Sequence, residues 1–441
     1  MFIYRDIIIA IATLAFLYYL SYARSLRPIG STILNPVLFI ILIHIITVLD
    51  YAFLYSGTQS QLASHLLDFD QDDIEYAFFE YNILFLLLSI GIGMGLSIKP
   101  VKLSGSIYLG NYNINKPVVS FKVAAFIVLA AILLSAQAVY QSFISSGGRI
   151  VLHAVHSESI GDTGKFVSHV LLITAVCIVF WYLRSKKLVL LFLSTILLVV
   201  FLVSGSRTRI IAILIPIASV LDLGGLKIKR SYYLVIALIF AIFAVWYVLL
   251  RIEEVGNHND IIISGNVLKD IFMLNDLSFA EVGTILHNDG ESYWSDRFTG
   301  SSFVGGFMAP IPRSILAFKP VTGSLFFTQQ FDPYGLDMFH RGLVIGAINE
   351  VKVEFGLVLG SIILLAIGFL WSRAIIYSLR DNGVFCFSLF VNLYYWAFLF
   401  FRNDIMTVGQ GIWGFIIVWV LARTVARVTW FQFVRNRKRG L

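Results

Sequence analysis

Cysteine is nearly absent from this sequence: there are two residues, Cys177 and Cys386, both inside apolar runs. Such a pair can build neither a disulfide framework nor a thiolate metal site. Charge is scarce as well. Only 13% of residues are Asp, Glu, Lys or Arg, against 58% hydrophobic residues and a mean hydropathy of +0.85. A soluble domain of that composition lacks the polar surface to cover its apolar atoms, so the chain reads as a multi-span membrane protein. The first apolar run, 7–22, lacks the order of basic leader, apolar core and small-residue cleavage site, and is read as an uncleaved first span. Internal repeats and low-complexity linkers are missing too. That leaves a single transmembrane domain over 1–441 with one large insertion.

About 20 apolar residues cross a hydrocarbon core at about 1.5 Å per residue. Runs of that size fall at 7–23, 33–55, 77–97, 123–143, 166–183, 231–250, 355–371 and 384–401. The stretch 188–221 is 34 residues long. As one helix it would measure about 51 Å, too long for a core of about 30 Å. "SGSRT" divides it, with Gly205 ending one helix and Ser206 serving as the N-cap of the next. A final run at 408–422 brings the expectation to about eleven transmembrane helices, all-α, with a large extracytoplasmic loop at 251–342 between the eighth and the ninth.

Lys and Arg placement orients these spans. With the N-terminus outside, twenty of the 33 basic residues lie on short inner segments, among them Arg24, Arg27, Lys99, Lys186, Lys229 and Arg373, together with only Asp222 and Asp381 of the 26 acidic ones. The net charge of +7 is then a set of anchors facing anionic lipid headgroups. Membrane lipids are the expected partners, and nucleic acid is not.

The same orientation puts "SGSRTR", the 251–342 loop and "FRND" (401–404) on one outer side. A loop of roughly ninety residues is usually functional, and it is expected to fold over an outer cleft. Pro310 and Pro312 stiffen the backbone before Arg313, and Pro320 follows Lys319, so both cations sit on restricted chain. His340 and Arg341 come next, then Glu350 and Glu354 one helical turn apart. Arg207 interrupts an apolar stretch where a charge costs roughly 3 kcal/mol. Arg207, Arg313, Lys319 and Arg402 converging on an outer cleft point to a polyanion, because guanidinium forks match phosphate oxygens. The helix N-terminus after Ser206 would add backbone amides and a positive dipole end.

Plainer readings stand beside these. Arg207 could pair with a buried carboxylate such as Asp50 or Glu80, and Arg402 with Asp404. Arg209, two positions from Arg207, points elsewhere on a helix and is as well suited to packing as to a ligand. His153 and His156 have no third ligand nearby, so no metal site is expected. "GIGMG" (91–95) reads as a close helix contact rather than a nucleotide loop. "DFDQDD" (68–73) reads as a solvated rim, and His44 as a core histidine.

Several segments together resemble the bacterial O-antigen and capsule oligosaccharide repeat-unit polymerases (Wzy-type): "LNPVLFIILIHIITVLDY", the apolar helix ending in "SGSRT", "PIPRSILAFKP", "GAINEVKVEFGLVLG" and "FLFFRND". The resemblance implies a GT-C-like membrane glycosyltransferase in the bacterial inner membrane with its active site facing the periplasm. Such an enzyme moves a growing glycan from undecaprenyl pyrophosphate to the terminal sugar of another lipid-linked repeat unit, with no metal and no cofactor. Its partners would be the undecaprenyl-pyrophosphate-linked oligosaccharide and a chain-length regulator protein. An O-antigen ligase, or a lipid-linked oligosaccharide flippase or transporter, is the alternative. The R-x10-G spacing of some members is not kept: after Arg149, Arg297, Arg313 and Arg341 the glycine position holds Ile160, Met308, Ser324 and Lys352.

The chemistry asks for cations at a pyrophosphate leaving group, each contributing about 3 kcal/mol of barrier lowering. Arg207, Arg209, Arg313, Lys319, Arg341 and Arg402, with Ser206, are the candidates. An acceptor hydroxyl also needs a base within hydrogen-bond reach, for which Glu350, His340 and Asp404 are candidates of equal standing.

Overall fold

A computed structural model of the chain describes residues 2–21, 36–56, 69–98, 279–294, 299–311, 315–331, 345–378, 384–420 and 424. All regular structure among the described residues is helical. In chain order the helices are α1 (Phe2–Ser21), α2 (Pro36–Tyr55), α3 (Gln71–Ser97), α4 (Phe279–Trp294), α5 (Ser301–Phe307), α6 (Gly323–Phe331), α7 (Ala347–Ser378) and α8 (Val384–Arg402), followed by α9 (Ile405–Val420). Helices α1, α2, α3 and α7 are long and apolar enough to cross a membrane, so the described residues are compatible with an all-α, membrane-embedded protein. Val358, Ile362 and Leu370 of α7 stand 78%, 60% and 64% exposed, an apolar stripe that hydrocarbon, rather than water, would cover.

The runs read as spans at 384–401 and 408–422 are helical as α8 and, up to Val420, as α9. Those at 123–143, 166–183, 188–221 and 231–250, and with them the count of eleven, lie outside the described residues.

Local chemistry explains where the helices begin. Pro36 opens α2, where its missing N–H costs nothing and its fixed φ suits the first turn. Asp72 and Asp73 occupy the first turn of α3, against the positive end of its dipole. Asp70 and Asp72 are exposed, as a solvated rim requires.

The most extensive packing joins α3 to α7, and "GIGMG" makes it possible. A Cβ on Gly91 would run into the backbone carbonyl of Leu365, and one on Gly368 into that of Leu88. The two backbones therefore touch directly, the small-residue contact expected between membrane helices. Gly93, on the other face of α3, meets Phe16 and Leu20 of α1 instead. His44 of α2 is fully buried and stacks on Phe85 of α3 at 3.8 Å between ring centroids. It is a core residue as expected, although both ring nitrogens lack a hydrogen-bond partner among the described residues.

Within α7, Gly356 takes φ 73° and ψ 174°, so the helix breaks into a short first part and a long apolar one. Only glycine enters that region freely. The break sits at the start of the run read as a span at 355–371 and leaves Glu350 and Glu354 on the short part.

Polar groups gather at one end of the helical assembly. Asp6 on α1 lies by Asn82 on α3 through the bond from Asn82 Nδ2 to the Asp6 carbonyl, 3.3 Å, and Asp50, Glu80, Glu350 and Asp404 all contact the 279–331 helices or their neighbours there. At the other end, Arg373 donates to the Gly95 and Ile98 carbonyls at 3.5 Å, where a cation faces the C-terminus of α3.

Gly91→Ala and Gly368→Ala each place a methyl against backbone that cannot move aside. Each is expected to cost about 1–3 kcal/mol, read as a lowered melting temperature of the purified protein in detergent. An unchanged melt for both would refute the contact.

Candidate functional site

The 251–342 loop is not structureless over its described part. "FAEVGTILHN" places Val282, Ile285 and Leu286 on one face of α4 at helical spacing, and they form a small apolar cluster with Phe327 of α6 and Ile345. Helix α4, which carries three members of that cluster, packs against α2, α3 and α7. The periodic signal was present in the sequence but spans barely two turns.

The helices of this cover begin inside the protein, and their first amides need acceptors there. Carboxylates from distant parts of the chain supply them. Asp50 of α2 accepts the Ala280 amide at the start of α4, 2.7 Å. Glu354 of α7 accepts the Ser301 hydroxyl at 2.8 Å and the Ser302 amide at 2.9 Å, at the start of α5. Glu350 accepts the Ser302 hydroxyl at 2.5 Å through Oε1 and the Ile405 amide at 2.7 Å through Oε2, at the start of α9. Asp404 is the N-cap of α9, accepting the Thr407 amide at 2.7 Å, and its other oxygen accepts the Ser324 amide of α6 at 3.3 Å. Gly323 lets this happen, since a Cβ there would collide with the Glu350 carboxylate.

Glu350 is 0% exposed and Asp404 1% exposed. The arrangement makes both carboxyl groups acceptors at the starts of α5, α6 and α9. Lys319, 3% exposed, donates from Nζ to the carbonyls of Ala309 and Ile311 at 3.2 Å. Its ammonium closes the turn that follows α5, immediately before Pro312 and Arg313. Arg402 ends α8, with its guanidinium 5.9 Å from the Phe398 ring centroid. Arg207, Arg209, Ser206, Arg313, His340 and Arg341 lie outside the described residues.

Composition and spacing gave no hint of two further groups. Glu281 of α4 is 3% exposed, and neither carboxylate oxygen has a hydrogen-bond partner among the described residues. Burial, reinforced by the neighbouring Asp50 charge, pushes its carboxyl from the ordinary 4.5 up to about 8. The second is an ion cluster in which Glu80 of α3 binds Lys352 of α7 and, at 3.0 Å, Nδ1 of His287 on α4. Asp50 and Glu80, the two carboxylates that the sequence offered as partners for Arg207, thus cap α4 and hold this cluster. Among the described residues, no group of three or more His, Cys, Asp and Glu side chains could hold a metal ion.

Two outcomes follow. Glu281 keeps its proton in the folded protein up to about pH 8, whereas an unfolded glutamate loses it near 4.5. Its contribution to stability is therefore complete below about pH 4.5 and is lost as pH rises towards 8. Glu281→Gln should flatten that decline and stabilise the protein by on the order of 3 kcal/mol at pH 7. Parallel pH profiles of melting temperature for the variant and the wild type would contradict it. For Asp404, Asn keeps a good cap and Ala does not, so Asp404→Ala should cost about 1–2 kcal/mol and Asp404→Asn much less. Equal melting temperatures for the two variants would remove the capping role.

No family model, no curated protein sequence and no solved structure matches this chain.

Proposed function

We propose that the protein is a polysaccharide polymerase of the O-antigen or capsule type. It transfers a growing glycan from undecaprenyl pyrophosphate to the terminal sugar of a second lipid-linked repeat unit, at the periplasmic face of a bacterial inner membrane. About eleven spans carry it, with the N-terminus and the 251–342 loop outside. Attack by an acceptor hydroxyl on the anomeric carbon forms the new glycosidic bond and breaks the C–O bond to pyrophosphate, the electron pair leaving with the phosphate and the hydroxyl proton passing to a base, for which His340, Glu350 and Asp404 are the candidates. Arg207 and Arg313 stabilise the negative charge that develops there, with Arg341 and Arg402 as further cations. In a site closed off from bulk water, such preorganised donors act most strongly.

The observation that best supports this reading is the anchoring of the backbone at Ala309 and Ile311, just before Arg313 in the sequence. Lys319 binds the Ala309 and Ile311 carbonyls, and Pro312 fixes the next φ. The backbone at 309–311, which precedes Arg313 in the chain, is thereby held before any substrate arrives, which suits orientation of a leaving group. Lys319 serves the reading as the residue that holds this backbone.

The purified protein in nanodiscs, given only its lipid-linked repeat unit, should produce a ladder of lengthening glycans on a gel. Arg207→Ala and Arg313→Ala should each slow ladder formation by about 100-fold or more, with melting temperatures unchanged. Translocation of the repeat unit with no ladder from wild-type protein would overturn the reading.

A further inference from the structure

On the rim of the cover, six side chains from three helices form a group that the capping network does not use. Asp73, Tyr76 and Glu80 recur at helical spacing on one face of α3. His287 and Asn288 of α4 lie opposite them, and Lys352 of α7 closes the far side. The Tyr76 ring is 59% exposed and runs nearly parallel to the His287 imidazole, at 5.8 Å between centroids and 11° between planes. The two rings make a platform open on one side.

Polar groups border that platform in alternation. Asn288 Nδ2 donates to Asp73 Oδ2 at 2.8 Å. His287 Nδ1 faces Glu80 Oε2 at 3.0 Å, and Lys352 binds the same carboxylate. With Nδ1 committed as donor to Glu80, Nε2 is left to accept a hydrogen bond from another molecule. Asn288 keeps its side-chain carbonyl for a donor, and the two carboxylates keep lone pairs.

The chemistry of this rim discriminates between ligand classes. One lysine already paired with a glutamate is a poor site for a polyanion, which needs unengaged guanidinium or ammonium groups. An open aromatic face beside closely spaced donors and acceptors suits a neutral polyol instead. The C–H face of a pyranose ring is apolar and lies flat on an aromatic ring, while its equatorial hydroxyls point outward to polar neighbours.

We propose that Tyr76, His287, Glu80 and Asn288 form a saccharide-binding subsite, with the sugar ring on the Tyr76 face and one hydroxyl donating to His287 Nε2. Resting on the polymerase reading, the subsite takes the terminal sugar of the acceptor repeat unit. Glu80 is a positioning residue: it fixes the His287 ring and tautomer, and Lys352 holds Glu80 in place.

The probe is the lipid-free repeat unit released by mild acid from the lipid-linked substrate, titrated into the full chain in nanodiscs by calorimetry. Wild type should bind it. Tyr76→Ala and His287→Ala should each weaken binding by about tenfold or more, a loss of about 1.4 kcal/mol, while Tyr76→Trp keeps it. Should Tyr76→Ala fail to fold, Asn288→Ala, at an exposed side chain, reads the same rim. Binding absent in wild type, or unchanged in the folded variants, overturns the subsite. The ladder assay separates this from the wider reading. Ladders from wild type and from variants that bind normally would sink the subsite and leave the polymerase standing. Tyr76-dependent binding without any ladder would do the reverse.

Discussion

A helix that starts inside a protein exposes amide hydrogens with no partner of their own, and four helices of this protein start that way. Their acceptors are carboxylates on other elements: Asp50 for α4, Glu354 for α5, Asp404 for α6, and Glu350 with Asp404 for α9. Each pairing satisfies a buried amide, a buried carboxylate and a helix dipole at once. The cover is therefore tied to the membrane helices by these hydrogen bonds as well as by the apolar cluster of α4, α6 and Ile345. Two of the carboxylates that chemistry nominated as bases, Glu350 and Asp404, are the centre of that tie.

Below the cover, the constraint is of another kind. Helices α3 and α7 meet backbone to backbone at Gly91 and Gly368. Hydrocarbon gives no hydrophobic reward for association, so close van der Waals contact must supply it. The direct seam fixes the height of α7 against α3, and with it the position of Glu80 relative to Lys352. Gly356 interrupts α7 between the long apolar part and the short part that carries Glu350 and Glu354, whose carboxyl groups meet the starts of α5 and α9. Packing in the apolar layer thus sets the geometry of the polar layer above it.

Particular residues show how far the reading of the sequence reached. "GIGMG" was legible as a packing stripe because small residues inside an apolar run have few other uses. The solvated character of Asp70 and Asp72 followed from their place before a span. Glu350, Asp404 and Lys319 stood out in the sequence because charge beside a span demands a reason, and the reason depends on burial and contacts that the sequence does not carry. Each turned out to hold backbone. The Tyr76, His287 and Glu80 cluster left no trace in the chain because its members are about 200 positions apart: the His287 to Glu80 separation is 207.

What was legible in the sequence alone was the apolar, helical character of the molecule and, among the described residues, the location of its apolar helices. Hydropathy summed over about 20 residues is a local quantity, and the bilayer acts on each run separately. Helix caps are different. The contact from Asp50 to Ala280 spans 230 positions, and that from Glu350 to Ile405 spans 55. Which acidic side chain meets which helix start is decided only when the helices pack, because any carboxylate in the chain could satisfy any amide and only the folded arrangement selects the pair.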